Sequence, residues 1–152
     1  MGEKMGALKI RSVLIVCMGN ICRSPVGEAL LQRRQRDIRI ESAGIRALVG
    51  RPADAVTSTL AGRHGLALEG HRARQLTAEL CRNNDLILVM EKQHVEHITH
   101  LAPEVRGKTM LLGHWLQRTE IADPYQKSTS FYEFVYGQMD QAVERWANVL
   151  SR

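Results

Sequence analysis

Within the stretch VLIVCMGNICRSPVGEALLQ, residues 13–32, Cys17 and Arg23 have the types and spacing for chemistry at phosphorus. Cys17 ends the apolar run from Val13 to Val16, and Arg23 follows after a five-residue interval. A tight loop of that length turns several backbone N–H groups inward. Gly19 permits an unusual dihedral or a close backbone approach, while Asn20 can hold a turn through its side chain. Ser24 is a good helix cap and Pro25 suits the first helical position, so unsatisfied helix N–H groups point toward the same space. Arg23 adds a planar fork able to grip two oxygens of a phosphate-like anion. Met18, Gly19, Asn20, Ile21, Cys22, Arg23 and Ser24 thus form a candidate phosphate cradle around a candidate nucleophile, Cys17. Its negative sulfur would be favoured by the same donors, with the Ser24 hydroxyl as a further one. An isolated cysteine is more often a small buried hydrophobe. The ordered sequence of strand, Cys, loop, Arg, Ser-Pro and helix favours the chemical reading.

The elements that must position this loop are readable from periodicity. Strands are expected over residues 10–16, 38–42, 85–90 and 109–112. The helix after Ser24 presents Val26, Ala29 and Leu30, with Arg33, Arg34 and Arg36 in solvent. A second helix is expected over 53–64, with Val56 and Leu60 inward and Gly65 as its stop. Shorter helices are expected over 77–82 and 93–101. The last helix should start near Ser130, whose spacing to Glu133 fits a capping box. Its stripe of Phe131, Val135, Met139, Ala142, Trp146 and Val149 reads as core. Strands alternating with helices predict an α/β three-layer sandwich. In such sheets ligands gather beyond the carboxyl ends of the strands, which is where Cys17 falls.

With 152 residues, the chain suits one domain over 9–152, preceded by a flexible extension over 1–8. Its 21 Lys and Arg against 16 Asp and Glu give a formal charge of +5, which suits an anionic ligand or partner without identifying it. Cys17, Cys22 and Cys81 are too few and too odd for a secreted disulfide framework, and no cleavable apolar leader precedes them; a reducing cytoplasm is expected. The longest apolar run is too short to span a bilayer, so no stable membrane insertion is expected. His94, His97 and His100 step around a helix without a mixed ligand cluster, which favours solvation over a metal. The basic run RRQRDIR, residues 33–39, lacks interleaved stacking residues, so a solvated helix exit is preferred to nucleic-acid binding. Cys81 reads as a semi-buried helix residue.

The segment Cys17-Met18-Gly19-Asn20-Ile21-Cys22-Arg23-Ser24-Pro25 resembles the active-site loop of the low-molecular-weight protein tyrosine phosphatases. Ser42-Ala43-Gly44, Glu69-Gly70-His71-Arg72-Ala73, Asp85-Leu86-Ile87 and Asp123-Pro124-Tyr125 follow in that family's order. The resemblance implies a four-stranded parallel sheet of order 2-1-3-4 and a phosphomonoesterase needing neither metal nor cofactor. It makes Cys17 the nucleophile, Arg23 the oxyanion ligand and Asp123 the general acid, although a loop aspartate before proline commonly bonds its own backbone. It makes Ser42, Asn20 and His71 the support of the loop; alone, His71 would be a surface or capping residue. Ile21, Leu48 and Tyr125 would line the substrate pocket, Tyr125 either at its entrance or covering the acid loop. Leu48 replaces a larger aromatic of many relatives, and Gln126 replaces the second aromatic of mammalian members. Cys22 either packs within the loop or serves as a redox partner for Cys17.

The match is especially similar to bacterial members associated with capsule or exopolysaccharide control. That implies a tyrosine-phosphorylated protein as partner, a membrane-associated bacterial tyrosine autokinase. Three alternatives remain open. Protein-arginine phosphatases share the loop but commonly carry threonine where Ile21 stands. Arsenate reductases need further cysteines, and none follows Cys81. A phosphotyrosine-binding module would need the cradle but neither the thiolate nor Asp123.

Overall fold

The computed structural model describes residues 9–151. The expected flexible extension over 1–8 lies outside the described residues. Four parallel strands form one sheet in the order β2-β1-β3-β4, with β1 Ser12–Cys17, β2 Arg39–Gly44, β3 Leu86–Val89 and β4 Thr109–Leu111. The expected order 2-1-3-4 is the one found. Five helices connect and cover them: α1 Arg23–Arg34, α2 Ala55–Arg63, α3 Ala78–Arg82, α4 Lys92–Leu101 and α5 Thr129–Leu150. Short 3-10 turns over Pro103–Lys108 and Leu112–Trp115 flank β4.

Alternation along β1 divides the core into two layers, because successive side chains of a strand point to opposite faces. Val13, Ile15 and Cys17 pack with Val26, Leu30, Leu60, Met139 and Trp146 from α1, α2 and α5. Leu14 and Val16 pack with Cys81, Ile87, Val89 and Ile98 around α3 and α4. All six β1 residues are buried, as expected of a central strand covered on both faces. Pairing of β1 with β2 runs through Cys17 opposite Gly44, so the loop leaving Cys17 passes over the end of β2. A Cβ at Gly44 would sit 2.7 Å from the Met18 carbonyl oxygen, a clash that only glycine avoids. Gly44 therefore lets the loop lie against the sheet.

Several local expectations differ from the structure. α1 begins at Arg23 with Cys22 as its N-cap and no side-chain cap, so Ser24 lies one residue inside the helix and its hydroxyl is free for other bonds. α2 is capped by Asp54, whose side chain accepts from the Thr57 N–H; this rotates Val56 outward and Thr57 inward. Gly65, at φ +79°, does follow the end of that helix. α5 is capped by Ser128 rather than Ser130, because Ser128 Oγ accepts from Phe131 N at 3.2 Å. The α5 stripe is core at Val135, Met139, Ala142 and Trp146, with Phe131 and Val149 partly covered. Cys81 is fully rather than partly buried. Arg33, Arg34 and Arg36 are exposed, as expected.

Candidate active site

The loop from Cys17 to Arg23 curls around the sulfur. Asn20 N donates to Cys17 Sγ at 3.3 Å, and Ser24 Oγ lies 2.9 Å from the same sulfur. Ser24 thus serves the sulfur instead of capping α1. The turn is held by Asn20, which is fully buried at φ +60°. Left-handed backbone is unfavourable for most side chains, and Asn is among the few that adopt it readily. Its Nδ2 donates to Ser24 Oγ at 2.7 Å and to Ser42 Oγ at 3.0 Å, while Oδ1 accepts from Arg74 N at 2.9 Å. Ser42 in turn donates to Glu28 Oε1 at 2.5 Å. His71 Nε2 lies 2.6 Å from the Asn20 carbonyl oxygen. The structure therefore gathers Asn20, Ser24, Ser42 and His71 around the loop, and adds Glu28 and the Arg74 amide, which sequence reasoning missed.

Arg23 reaches across the carboxyl ends of the strands. Its Nη1 donates to Glu91 Oε2 at 2.6 Å and to the Ile121 carbonyl oxygen at 2.7 Å. Its Nη2 lies 3.6 Å from Asp123 Oδ2. Its Nε is buried and has no hydrogen-bond partner among the described residues. One edge of the fork is thus fixed by protein, and the other retains donors for a ligand. Glu91 escaped the sequence reading, although its place directly after β3 and Met90 satisfies the strand-end rule that singled out Cys17. Partial burial raises the Glu91 pKa, but the hydrogen bond and charge of Arg23 outweigh it and hold the carboxyl below its ordinary range.

His94 departs from expectation. His97 and His100 are exposed, but His94 is buried beneath this pair. Its Nδ1 accepts from Glu91 N at 3.3 Å, and its Nε2 lies 3.9 Å from Glu91 Oε2. Burial, reinforced by the Arg23 charge, pushes its pKa down to about 4. The imidazole is neutral at physiological pH and acts as a polar floor under Glu91.

Asp123 bonds its own loop backbone, as a loop aspartate before proline commonly does, and also faces Arg23. Its Oδ1 accepts from Tyr125 N at 3.1 Å, and its half-exposed carboxylate turns the other oxygen toward Arg23. Asp123 and Tyr125 line one concavity of about 190 Å³ with Cys17, Ile21, Leu48 and Arg46. The three residues expected to wall a substrate pocket are therefore brought together, and Arg46 joins them at the rim. Cys22 shares this concavity but remains a thiol. Burial pushes its pKa up to about 12, the Thr57 hydrogen bond only partly opposing the shift.

A strand-end cysteine with a loop amide and a hydroxyl on its sulfur, one guanidinium with a free edge and a facing carboxyl form an arrangement able to receive an oxyanion. The chain matches the family described as low molecular weight phosphotyrosine protein phosphatase over residues 12–152. It is 54% identical over 148 residues to the low molecular weight protein-tyrosine-phosphatase Etp of Escherichia coli strain K12, covering 97% of this chain and 100% of that one. It superposes on the crystal structure of the Erwinia amylovora tyrosine phosphatase AmsI with a TM-score of 0.92, at 52% identity and covering 94% and 95% of the two chains. The tyrosine phosphatase Wzb from Escherichia coli K30, solved in complex with sulphate, gives a TM-score of 0.90 at 50% identity, covering 91% and 97%. The YwlE arginine phosphatase from Geobacillus stearothermophilus shares the fold at a TM-score of 0.87 but only 29% identity, covering 93% of each chain. The chain belongs to the low molecular weight protein-tyrosine phosphatase family.

Proposed function

We propose that the protein hydrolyses protein phosphotyrosine in two steps at Cys17. The reading is carried by Arg23: one nitrogen is locked to Glu91 and Ile121, and Nε, beside the cysteine loop, is buried without a partner among the described residues. That fork and the amides of Met18 to Ser24 bind the equatorial phosphoryl oxygens, which gain charge density in the transition state. Cys17 Sγ attacks phosphorus and the P–O bond to the phenol breaks. Tyrosinate is a poor leaving group because the phenol pKa is ~10, so Asp123 supplies its proton. Water then attacks the cysteinyl phosphate, Asp123 accepts the proton, the S–P bond breaks and phosphate leaves. Ser42 and His71 act by holding Asn20 and the loop in place. No metal or cofactor has a role in these steps.

Ile21, Leu48 and Tyr125 form a small, mostly apolar entrance that suits an aryl group. Ile21 in that wall supports tyrosine over arginine phosphate, the alternative performed by YwlE. The physiological partner in this reading is a membrane-associated tyrosine autokinase of exopolysaccharide synthesis, reached from the cytoplasm. No helix among the described residues is long and apolar enough to cross a membrane. Cys22 lies close enough to share the Cys17 concavity and is the candidate partner for a protective disulfide after oxidation.

Turnover of para-nitrophenyl phosphate and a phosphotyrosine peptide by wild type, C17S and D123N tests the assignment. C17S should abolish turnover and trapped phosphoenzyme. D123N should lower kcat/KM for poor leaving groups by about 100-fold or more while retaining phosphate binding. Equal turnover by D123N and wild type would reject Asp123 as the acid, and binding without turnover by wild type would indicate a phosphotyrosine-binding module.

A further inference from the structure

We propose that Tyr132 is a positioning residue for the general acid, its hydroxyl tying the Asp123 loop to the helix cap that also anchors the phosphate loop. The inference rests on Asp123 being the acid. Tyr132 lies on the first turn of α5 and is buried. Its hydroxyl donates to Asp54 Oδ2 at 2.9 Å and accepts from Gln126 N at 3.3 Å. Asp54 is the α2 cap: the same oxygen accepts from Thr57 N at 3.2 Å and Thr57 Oγ1 at 3.3 Å. Asp54 N donates to the Ile21 carbonyl oxygen at 2.9 Å. A continuous chain therefore runs from Gln126, through the phenol and Asp54, to Ile21 of the cysteine loop.

The acid loop has few other supports. Ile121 is anchored by its N–H to the Met90 carbonyl, and Pro124 is buried, but Ala122, Asp123, Gln126, Lys127 and Ser128 are exposed. The Tyr125 and Lys127 N–H groups bond within the loop, to Asp123 Oδ1 and the Pro124 carbonyl. Among the described residues, Gln126 N to Tyr132 is the only hydrogen bond from a backbone N–H of residues 122–128 to a partner outside that segment. Gln126 itself sits at φ +62°, a conformation its side chain disfavours, so this bond holds a strained residue in place. Pro124 also borders a cavity of about 20 Å³ lined by Val26, Leu60, Tyr132, Val135 and Met139. Directional bonding at Gln126 thus acts beside the packing of Ile121, Pro124 and Tyr125 in setting the height of the acid loop over Cys17. Burial and the Asp54 bond also raise the phenol pKa, keeping Tyr132 a protonated donor across the working range.

Removing the hydroxyl in Y132F leaves the ring in the core and frees the acid loop. The effect should appear only where proton donation matters. kcat/KM for a series of aryl phosphates reports the step that breaks the P–O bond. We expect Y132F to lose about tenfold more on phenyl phosphate than on para-nitrophenyl phosphate. Its inhibition by inorganic phosphate should change by less than about twofold, because the cradle is intact. D54N, which weakens the acceptor and keeps the cap, should show the same leaving-group selectivity to a smaller degree. Equal losses on both substrates would overturn the proposal, and so would a parallel loss of phosphate affinity, since that would place the effect in the cysteine loop. If wild type turned over neither substrate, the failure would lie with the phosphatase reading itself.

Discussion

Replacing Asn20 should show how much of the site is held by one side chain. In N20A three hydrogen bonds disappear, to Ser24 Oγ, Ser42 Oγ and from Arg74 N, and each is worth roughly 1 kcal/mol net. Alanine must also take up the φ of +60°, adding about 1 kcal/mol of backbone strain. The sum is about 4 kcal/mol, a large part of the ~5–15 kcal/mol that holds a domain together. N20G loses the same bonds without the strain, but gives the unfolded chain more freedom, which costs about 0.5 kcal/mol. It should therefore lie about 0.5 kcal/mol above N20A. Urea unfolding with an unchanged m-value measures both differences. Inhibition by inorganic phosphate reads the cradle, and should weaken on the order of tenfold in each variant as the amides lose their common aim. Costs below about 1 kcal/mol in both variants, with wild-type inhibition by phosphate, would refute Asn20 as the keystone.

Two further outcomes follow from the groups around Arg23. E91A removes the partner of a nearly fully buried guanidinium and should cost about 3 kcal/mol of stability, with at least a tenfold fall in kcat/KM; E91Q, which keeps an acceptor near Nη1, should lose less of both. Wild-type kinetics in E91A would show that Arg23 needs no carboxylate to hold its fork. His94 sets a pH dependence of known sign. Its folded pKa of about 4 lies below the ordinary value near 6.5, so the unfolded chain binds a proton that the folded one refuses. Stability should be full above about pH 6.5 and fall as pH drops toward 4, by about 1–3 kcal/mol. H94Q should flatten that slope in urea titrations, and an unchanged slope would assign it to the carboxylates.

The geometry of the cysteine loop was legible because it is local: strand, turn and helix occupy one continuous segment, and Gly19 and Asn20 announce the turn. What lay hidden was set by distant partners. Its place after β3 puts Glu91 at a strand end, but not beside Arg23, since the two are 68 residues apart in sequence and meet only when β1 and β3 pair. His94 was expected in solvent because three-residue steps rotate around a helix. The same rotation that exposes His97 and His100 turns His94 under Glu91, where its neighbours are supplied by other elements. Caps failed for a related reason. α2 starts at Ala55 after its Asp54 cap rather than at about Ala53, and Thr57 rather than Val56 joins Leu60 in the core. The sequence points to Ser130 because Glu133 completes a capping box with it; in the fold Glu133 is exposed and Ser128 takes the cap.

The Arg23 side chain also explains why an arginine, rather than any cation, must occupy this turn. Glu91 and the Ile121 carbonyl take both hydrogens of Nη1, which fixes the plane of the guanidinium and leaves Nε and Nη2 on one edge. Buried Nε has no acceptor among the described residues, and an orphaned buried donor costs roughly 1–3 kcal/mol. That cost is carried by the folded protein before any ligand arrives, and in the proposed reaction a phosphoryl oxygen would relieve it. Asp123 cannot do so, because its oxygen stands 3.6 Å from Nη2 and its other oxygen is held by Tyr125 N. A lysine would satisfy Glu91 as a point charge but could not present two parallel donors to a second ligand. Glu91 also offsets the fixed charge of the guanidinium, so the cradle combines a buried ion pair with neutral amides instead of concentrating positive charge. In the proposed reaction such a site would hold a phosphate by direction as much as by charge, and direction is what an in-line attack from the Cys17 sulfur requires.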